Sequence, residues 1–318
     1  MTEEKVYSEF KYENELLSPF NYIQQVKGKQ LRVKIILAFN YWFKVPSEKV
    51  HQILDVLNML HNAALIVDDI EDESSVRRGL PAAHCVYGLP MTINAAFHAL
   101  FLALEKLSKI SPKAGEILIE HFLEVVRGQG LDIYWRDNCI CPTEAQYMDM
   151  AQRKNGAYLV MAVRLLQSFS EDKTDYTNLA LTLGKYFQIR EDYCNIGKQE
   201  ALEEWPGSED THARETSYFE DLTEGKFSFP VVHASNTPDG NQILNILRKR
   251  TRDANVKKYC ISLLEKSGSL QYTRDVLLDL DKAARAEVAR LGGNPKMEVV
   301  LDELLSWQDQ YEIIHLLS

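Results

Sequence analysis

Apolar side chains recur along this chain at intervals of three and four residues, the spacing that gathers them on one face of an α-helix. The pattern predicts helices over 31–44, 48–72, 91–107, 113–130, 143–169, 175–196, 226–234, 241–249, 253–267, 269–291 and 296–316. Prolines at 46, 90, 112, 142, 206 and 230 fall near the proposed starts and breaks. A residue fixed in φ and lacking an N–H is tolerated there. Strand-type alternation is scarce, and the sequence shows no repeat of fixed period. One region reads as loop: 197–217 is highly charged and contains Pro206 and Gly207. It is either a linker between domains or a mobile flap over a site. Similar helical composition on both sides favours the flap. The expectation is an all-α bundle, one domain spanning 1–318.

Composition narrows the class. The chain has 318 residues, 45% of them hydrophobic, enough for a substantial core. Only 15 Gly and 10 Pro argue against a loop-rich all-β design or a disordered chain. A formal net charge of −10 argues against general binding of nucleic acid or anionic membranes, while leaving room for a local basic pocket. Five cysteines, Cys85, Cys139, Cys141, Cys194 and Cys260, are odd in number and contain no C-x₂-C pair. Neither a disulfide framework nor a zinc site is expected, and a reducing cytoplasm fits. The start, Met-Thr-Glu-Glu-Lys, is unlike a secretory or transit leader. No apolar run reaches the roughly 18 residues of a bilayer span, so no transmembrane segment is expected.

Candidate chemistry lies in two acidic stretches. In His61-Asn-Ala-Ala-Leu-Ile-Val-Asp68-Asp69-Ile-Glu71-Asp72, Asp68 and Asp72 are one helical turn apart and share a face. Asp69 flanks that face, and His61 lies two turns earlier on the same side. Carboxylates at the end of a core-facing apolar helix need compensation. Hard oxygen ligands of this kind suit Mg²⁺ completed by substrate phosphates. Taken alone, such acids are as well read as a solvated helix end. The bases that follow at once, Arg77-Arg78-Gly79, make metal plus phosphate the more specific reading. In the second stretch, Gln188, Glu191, Asp192 and Asn195 form one stripe that continues the apolar face of Leu179, Leu183 and Phe187. Facing carboxylate-bearing helices are a common way to build a site in a helical bundle.

Together these stretches resemble the trans-isoprenyl diphosphate synthases, most closely the animal geranylgeranyl diphosphate synthases, over roughly residues 16–300. The likeness is carried by Gly28-Lys29-Gln30-Leu31-Arg32, His61-Asn62-Ala63, Asp68-Asp69-Ile70-Glu71-Asp72, Arg77-Arg78-Gly79, the stretch Gly128 to Asn138, Phe187-Gln-Ile-Arg190, and Asp221 to Pro230. It implies an isoprenoid synthase-type bundle around a deep apolar cavity. Three Mg²⁺ ions, with Mn²⁺ as an alternative, would join two acidic motifs to an allylic diphosphate. By that resemblance Asp68 and Asp72 hold two ions, with Asp69 in support. Glu191, with Asp192 and Asn195 beside it, holds the third. Arg77, Lys154 and Lys226 grip the allylic diphosphate. Lys29, Arg32, His61 and Arg78 hold isopentenyl diphosphate, and Gln188 lies near the reacting carbons. The family also implies a homo-oligomer, a dimer or a hexamer of dimers.

Four departures fall near this chemistry. Glu191 replaces an aspartate and reaches one methylene further. Asn155 replaces the threonine of a Lys-Thr-Gly sequence at a diphosphate contact. His98 and Val126 replace the Tyr and His expected at the cavity floor, and the 197–217 loop is longer than usual. The intact isopentenyl diphosphate set favours a prenyltransferase making geranylgeranyl diphosphate. The departures favour a diterpene synthase that turns that diphosphate into hydrocarbon and pyrophosphate. A non-catalytic subunit is a third reading, against which the complete first motif argues.

Overall fold

The computed structural model describes residues 11–26, 28, 30–196 and 219–310. The 197–217 segment and Lys29 therefore lie outside the described residues. What is described is almost wholly helical. Short helices α1 (Glu13–Leu16) and α2 (Ser18–Ile23) precede α3 (Leu31–Phe43) and α4 (Ser47–Glu71). Next come a hairpin of β1 (Val76–Arg77) with β2 (Leu80–Pro81), α5 (Ala83–Tyr87), and the long pair α6 (Leu89–Ile110) and α7 (Pro112–Asn138). Then α8 (Glu144–Ala151) runs through a π turn, Gln152–Gly156, into α9 (Ala157–Gln167), and α10 (Thr177–Ile196) follows. The remainder comprises α11 (Glu220–Glu224), α12 (Phe229–Ala234), α13 (Gly240–Leu247), α14 (Ala254–Lys266), α15 (Ser269–Arg290) and α16 (Pro295–Leu304), closed by a 3₁₀ turn.

Local chemistry sets many boundaries. Pro90, Pro112 and Pro295 occupy first-turn positions, where their missing N–H costs nothing. Thr143 and Gln146 form a reciprocal capping box at the start of α8. Several expected helices differ: the π turn breaks 143–169, and 296–316 is α-helical only to Leu304 and 3₁₀ to Gln310, with 311–316 outside the described residues. The 226–234 helix starts only at Phe229, because Gly225 takes φ +78 and turns the chain. The 113–130 helix runs on to Asn138, with Asp132, Trp135 and Arg136 buried along it. The hairpin turns through Arg78 (φ +53) and Gly79 (φ +76). Positive φ at both central residues matches the twist of a two-residue hairpin.

The buried apolar residues form one large cluster and a smaller one in which Phe20, Ile23, Ala63, Ile66, Ala95 and Ala99 join α2, α4 and α6. α4 buries Ile53, Leu57, Leu60 and Ile66. It packs most extensively on α6, which offers the small residues Ala95, Ala99 and Ala103 at four-residue spacing. By length and composition α4 is apolar enough to cross a membrane, but Ile53, Leu60 and Ile66 are fully buried in this bundle.

The tightest approach surrounds the π turn. A Cβ on Gly184 of α10 would overlap Gly156 Cα and N, and one on Gly128 of α7 would lie 2.5 Å from Lys154 N. Glycine at these positions lets both helices reach the backbone of the turn. We expect Gly184→Ala to cost about 1–3 kcal/mol, the usual penalty for overpacking. Thermal unfolding checks this, and an unchanged midpoint would rule out the close approach.

Candidate active site

The acidic residues of α4 sit at its C-terminal end, among bases from three other elements. β1 turns Arg77 back onto the helix. Its Nε donates to Asp69 Oδ1 at 2.7 Å and its Nη2 to Asp68 Oδ2 at 3.1 Å. Arg136 of α7 donates to Asp72 Oδ1 at 2.5 Å and to the Glu71 carbonyl at 2.8 Å. Gln129, also on α7, bridges Asp68 and Glu71 at 3.0 and 2.9 Å. The π turn delivers Lys154, which donates to Asp132 at 3.1 Å and lies 3.9 Å from Asp68. A single-turn π bulge at a functional site is a recurring device. It sends Lys154 toward α4 and its neighbour Asn155 toward α10.

The second motif is anchored differently. Asp192 is 1% exposed and accepts from Gln188 Nε2 at 2.9 Å, the Phe229 N–H at 2.8 Å, the Tyr147 hydroxyl, and Lys226 Nζ at 3.3 Å. Its oxygens are fully used within the protein, so it organises the site from beneath. Asn195 accepts the Asp221 N–H at 3.0 Å on its side chain and the Phe219 N–H at 2.8 Å on its carbonyl. Glu191 is the more exposed of the two acids in the stripe, its side chain 44% exposed and 3.9 Å from Arg32 Nη2. Glu224 joins the first motif through Ser74 Oγ at 3.1 Å. Of the other expected site residues, His98 pairs with Glu13 at 3.2 Å. Val126 is exposed on α7 alongside Leu123 and Ile119. Neither joins the acid cluster.

Electrostatics explain what the cluster can bind. Asp68, Asp69, Glu71, Asp72, Asp132, Asp192, Asp221 and Glu224 face Arg77, Arg136, Lys154 and Lys226, so carboxylate outnumbers cation. Burial would raise Asp68, but Lys154, Arg77 and Lys226 hold it below the usual carboxylate range. Burial, then Asp68 and Glu224, push Asp72 up to about 8. Buried Asp69 Oδ2 and Asp221 Oδ2 have no hydrogen-bond partner. Such a site has unmet demand for positive charge. Among the described residues no three His, Cys, Asp or Glu side chains form a ready-made metal cage. Carboxylates with that demand would suit Mg²⁺, completed by waters and substrate phosphate.

A second, basic set lies beside it. Arg32 Nη1 faces His61 Nε2 at 3.4 Å. Burial, then Arg32, Arg78 and Arg77, hold the imidazole well below its ordinary pKa. A neutral imidazole there can accept from Arg32 on Nε2. Arg78 donates to the Ile23 and Val26 carbonyls at 3.2 and 2.8 Å, which fixes it against Gly28.

The profile of the polyprenyl synthetase family matches residues 13–264. The chain belongs to that family. A terpene synthase of Matsumurasca onukii is 51% identical over 297 residues, 93% of this chain and 94% of its own. A geranylgeranyl pyrophosphate synthase of Mucor circinelloides f. lusitanicus is 40% identical over 92% and 93% of the two chains. That of Dictyostelium discoideum is 40% identical over 91% and 92%. Sequence reasoning missed Gln129, Asp132, Arg136 and Glu224 as parts of this polyprenyl synthetase site. The first three recur at spacings of three and four on α7, a polar stripe that could have been read.

Asp192→Asn should remove about 3 kcal/mol or more, because partly buried Lys226 loses one of the two carboxylates it pairs with. Tyr147→Phe should cost about 1–2 kcal/mol, the worth of one bond to a charge. Denaturant unfolding checks both. Equal losses would contradict the hub arrangement.

Proposed function

We propose that this chain is a Mg²⁺-dependent prenyltransferase that joins an allylic diphosphate, farnesyl or shorter, to isopentenyl diphosphate and releases geranylgeranyl diphosphate. The observation that carries this reading is the pairing of two anion sites. One is the acid cluster with Arg77, Lys154 and Lys226; the other is the Arg32–His61–Arg78 set, with Lys29 beside it in sequence. Geranylgeranyl pyrophosphate synthases related over most of the chain support it.

In this reading bound Mg²⁺, three ions by family likeness and replaceable by Mn²⁺, neutralises charge growing on the departing diphosphate. Asp68, Asp72 and Glu191 would hold the ions; Asp69 orients Arg77, and Asp192 orients Gln188 and Lys226. Arg77, Lys154 and Lys226 stabilise the leaving oxygens as the allylic C–O bond breaks. Arg32, neutral His61 and Arg78 hold the second diphosphate so that its double bond meets the allylic cation. The proton lost from the new chain passes to pyrophosphate. Asn195 caps α11 rather than serving as an ion ligand.

The relative named terpene synthase, at 51% identity, favours a second reading on the same scaffold. There the cation from geranylgeranyl diphosphate loses a proton, with or without cyclisation, and leaves as hydrocarbon. Two incubations with Mg²⁺ decide: geranylgeranyl diphosphate alone, and farnesyl with isopentenyl diphosphate. C20 diphosphate from the second with no hydrocarbon from the first supports the prenyltransferase. Hydrocarbon from the first overturns it. Asp68→Ala should lower either activity by about 10²–10³-fold or more; near-normal turnover would refute the metal assignment.

We also assign this chain to a homodimer. Ile93, Phe97 and Phe101 of α6 and Ile119, Leu123 and Val126 of α7 are exposed at helical spacing, an apolar stripe suited to a self-complementary contact. Phe97→Asp with Phe101→Asp should halve the mass measured by light scattering; an unchanged mass would exclude this face. All five cysteines are free, in keeping with a cytoplasmic location.

A further inference from the structure

Asn155 of the π turn and Glu191 of α10 meet on one guanidinium. Arg32 Nη2 donates to Asn155 Oδ1 at 3.2 Å and lies 3.9 Å from Glu191 Oε2. The guanidinium carbon sits 4.3 Å from the centroid of the Phe187 ring, a cation–π stack that fixes the plane of the fork. Nη1 is the arm that faces His61. The two arms therefore point to different places, one to the basic set and one to the acid stripe of α10.

Asn155 is itself held. Its Nδ2 donates to Gln188 Oε1 at 2.6 Å, and Gln188 is tied in turn to Asp192. An amide can accept from Arg32 and donate to Gln188 through separate atoms; the shorter threonine has one hydroxyl for both. Glu191 is already at the limit of an ion pair, and aspartate would be one methylene shorter. Both side chains thus reach the same guanidinium, and a shorter residue at either position would not. Arg32 also lines a small recess with Ile35, Asn155, Leu159 and Phe187. A planar guanidinium grips a phosphate best when both arms are available for parallel hydrogen bonds.

We propose that Asn155 and Glu191 act as a joint latch on Arg32, engaging one arm of its fork and so weakening the hold on isopentenyl diphosphate. The latch shifts the fate of the allylic cation. Capture by the isopentenyl double bond forms a C–C bond and then releases a proton. Without capture, a C–H bond of the cation itself breaks, its electron pair forms a new double bond, and pyrophosphate takes the proton. This inference rests on the proposed ionisation of an allylic diphosphate, and it names the residues that set specificity after that step.

The test uses the full chain with Asn155→Thr, Glu191→Asp and both together. Isopentenyl diphosphate is titrated calorimetrically with no allylic partner, so that turnover plays no part. The double variant should bind about tenfold more tightly, equivalent to about 1.4 kcal/mol. The single gains should fail to add, because they act on one side chain. Arg32→Gln in the double background should erase the gain, which general repacking would not do. With farnesyl and isopentenyl diphosphates present, KM for isopentenyl diphosphate should fall about tenfold in the double variant, in step with the tighter binding. Unchanged affinity in the double variant, or a gain that survives Arg32→Gln, overturns the latch. If the unaltered chain ionises no allylic diphosphate, the functional reading fails, while the affinity series still decides the latch.

Discussion

Gly128 and Gly184 press the middles of α7 and α10 onto the π turn from two sides, and the site's geometry follows from that contact. The turn cannot relax into a regular helix without moving against two backbones at once. Lys154 and Asn155, adjacent in sequence, are therefore held toward opposite walls. One completes the compensation of Asp132 and Asp68; the other joins Arg32 to Gln188 and, through it, to Asp192. Side chains on separate helices become one network because the backbone beneath them has no room to vary.

Charge balance completes the argument. The acids at the end of α4 are too many for the bases that reach them, and the shortfall shows in orphaned carboxylate oxygens and in the raised Asp72. A protein stable with such a deficit gains when cations and a phosphorylated ligand arrive together. Asp192 plays the opposite part. Its oxygens are used by Tyr147, Gln188, Lys226 and the Phe229 N–H, so it fixes the positions of others. Two acidic stretches similar on paper thus divide into one that demands charge and one that distributes it.

The long helices and the first acidic motif were legible in the sequence because both depend on spacing along one helix. Helical periodicity places α3, α4, α6 and α10 within a few residues, and Asp68 and Asp72 share a face by rise and twist alone. What depends on approach between helices was not legible. The π turn leaves no periodic mark across 143–169. The break at Gly225 is a backbone conformation hidden inside a helical pattern. Asn195 reads as the last residue of a metal stripe, yet its oxygens are taken by N–H groups of Phe219 and Asp221. Glu191 and Asn155 could be seen as departures, but only the folded chain brings both to Arg32.

The bonds from Phe219 and Asp221 to Asn195 have a consequence for how this chain can change. They staple the two ends of the 196–218 interval at a single residue, next to the acid stripe but not through it. Loop closure grows costly only slowly with length, and here the closing contact is already made. The end of α10 and the start of α11 are thus held to one another by contacts among described residues, whatever length of chain joins them.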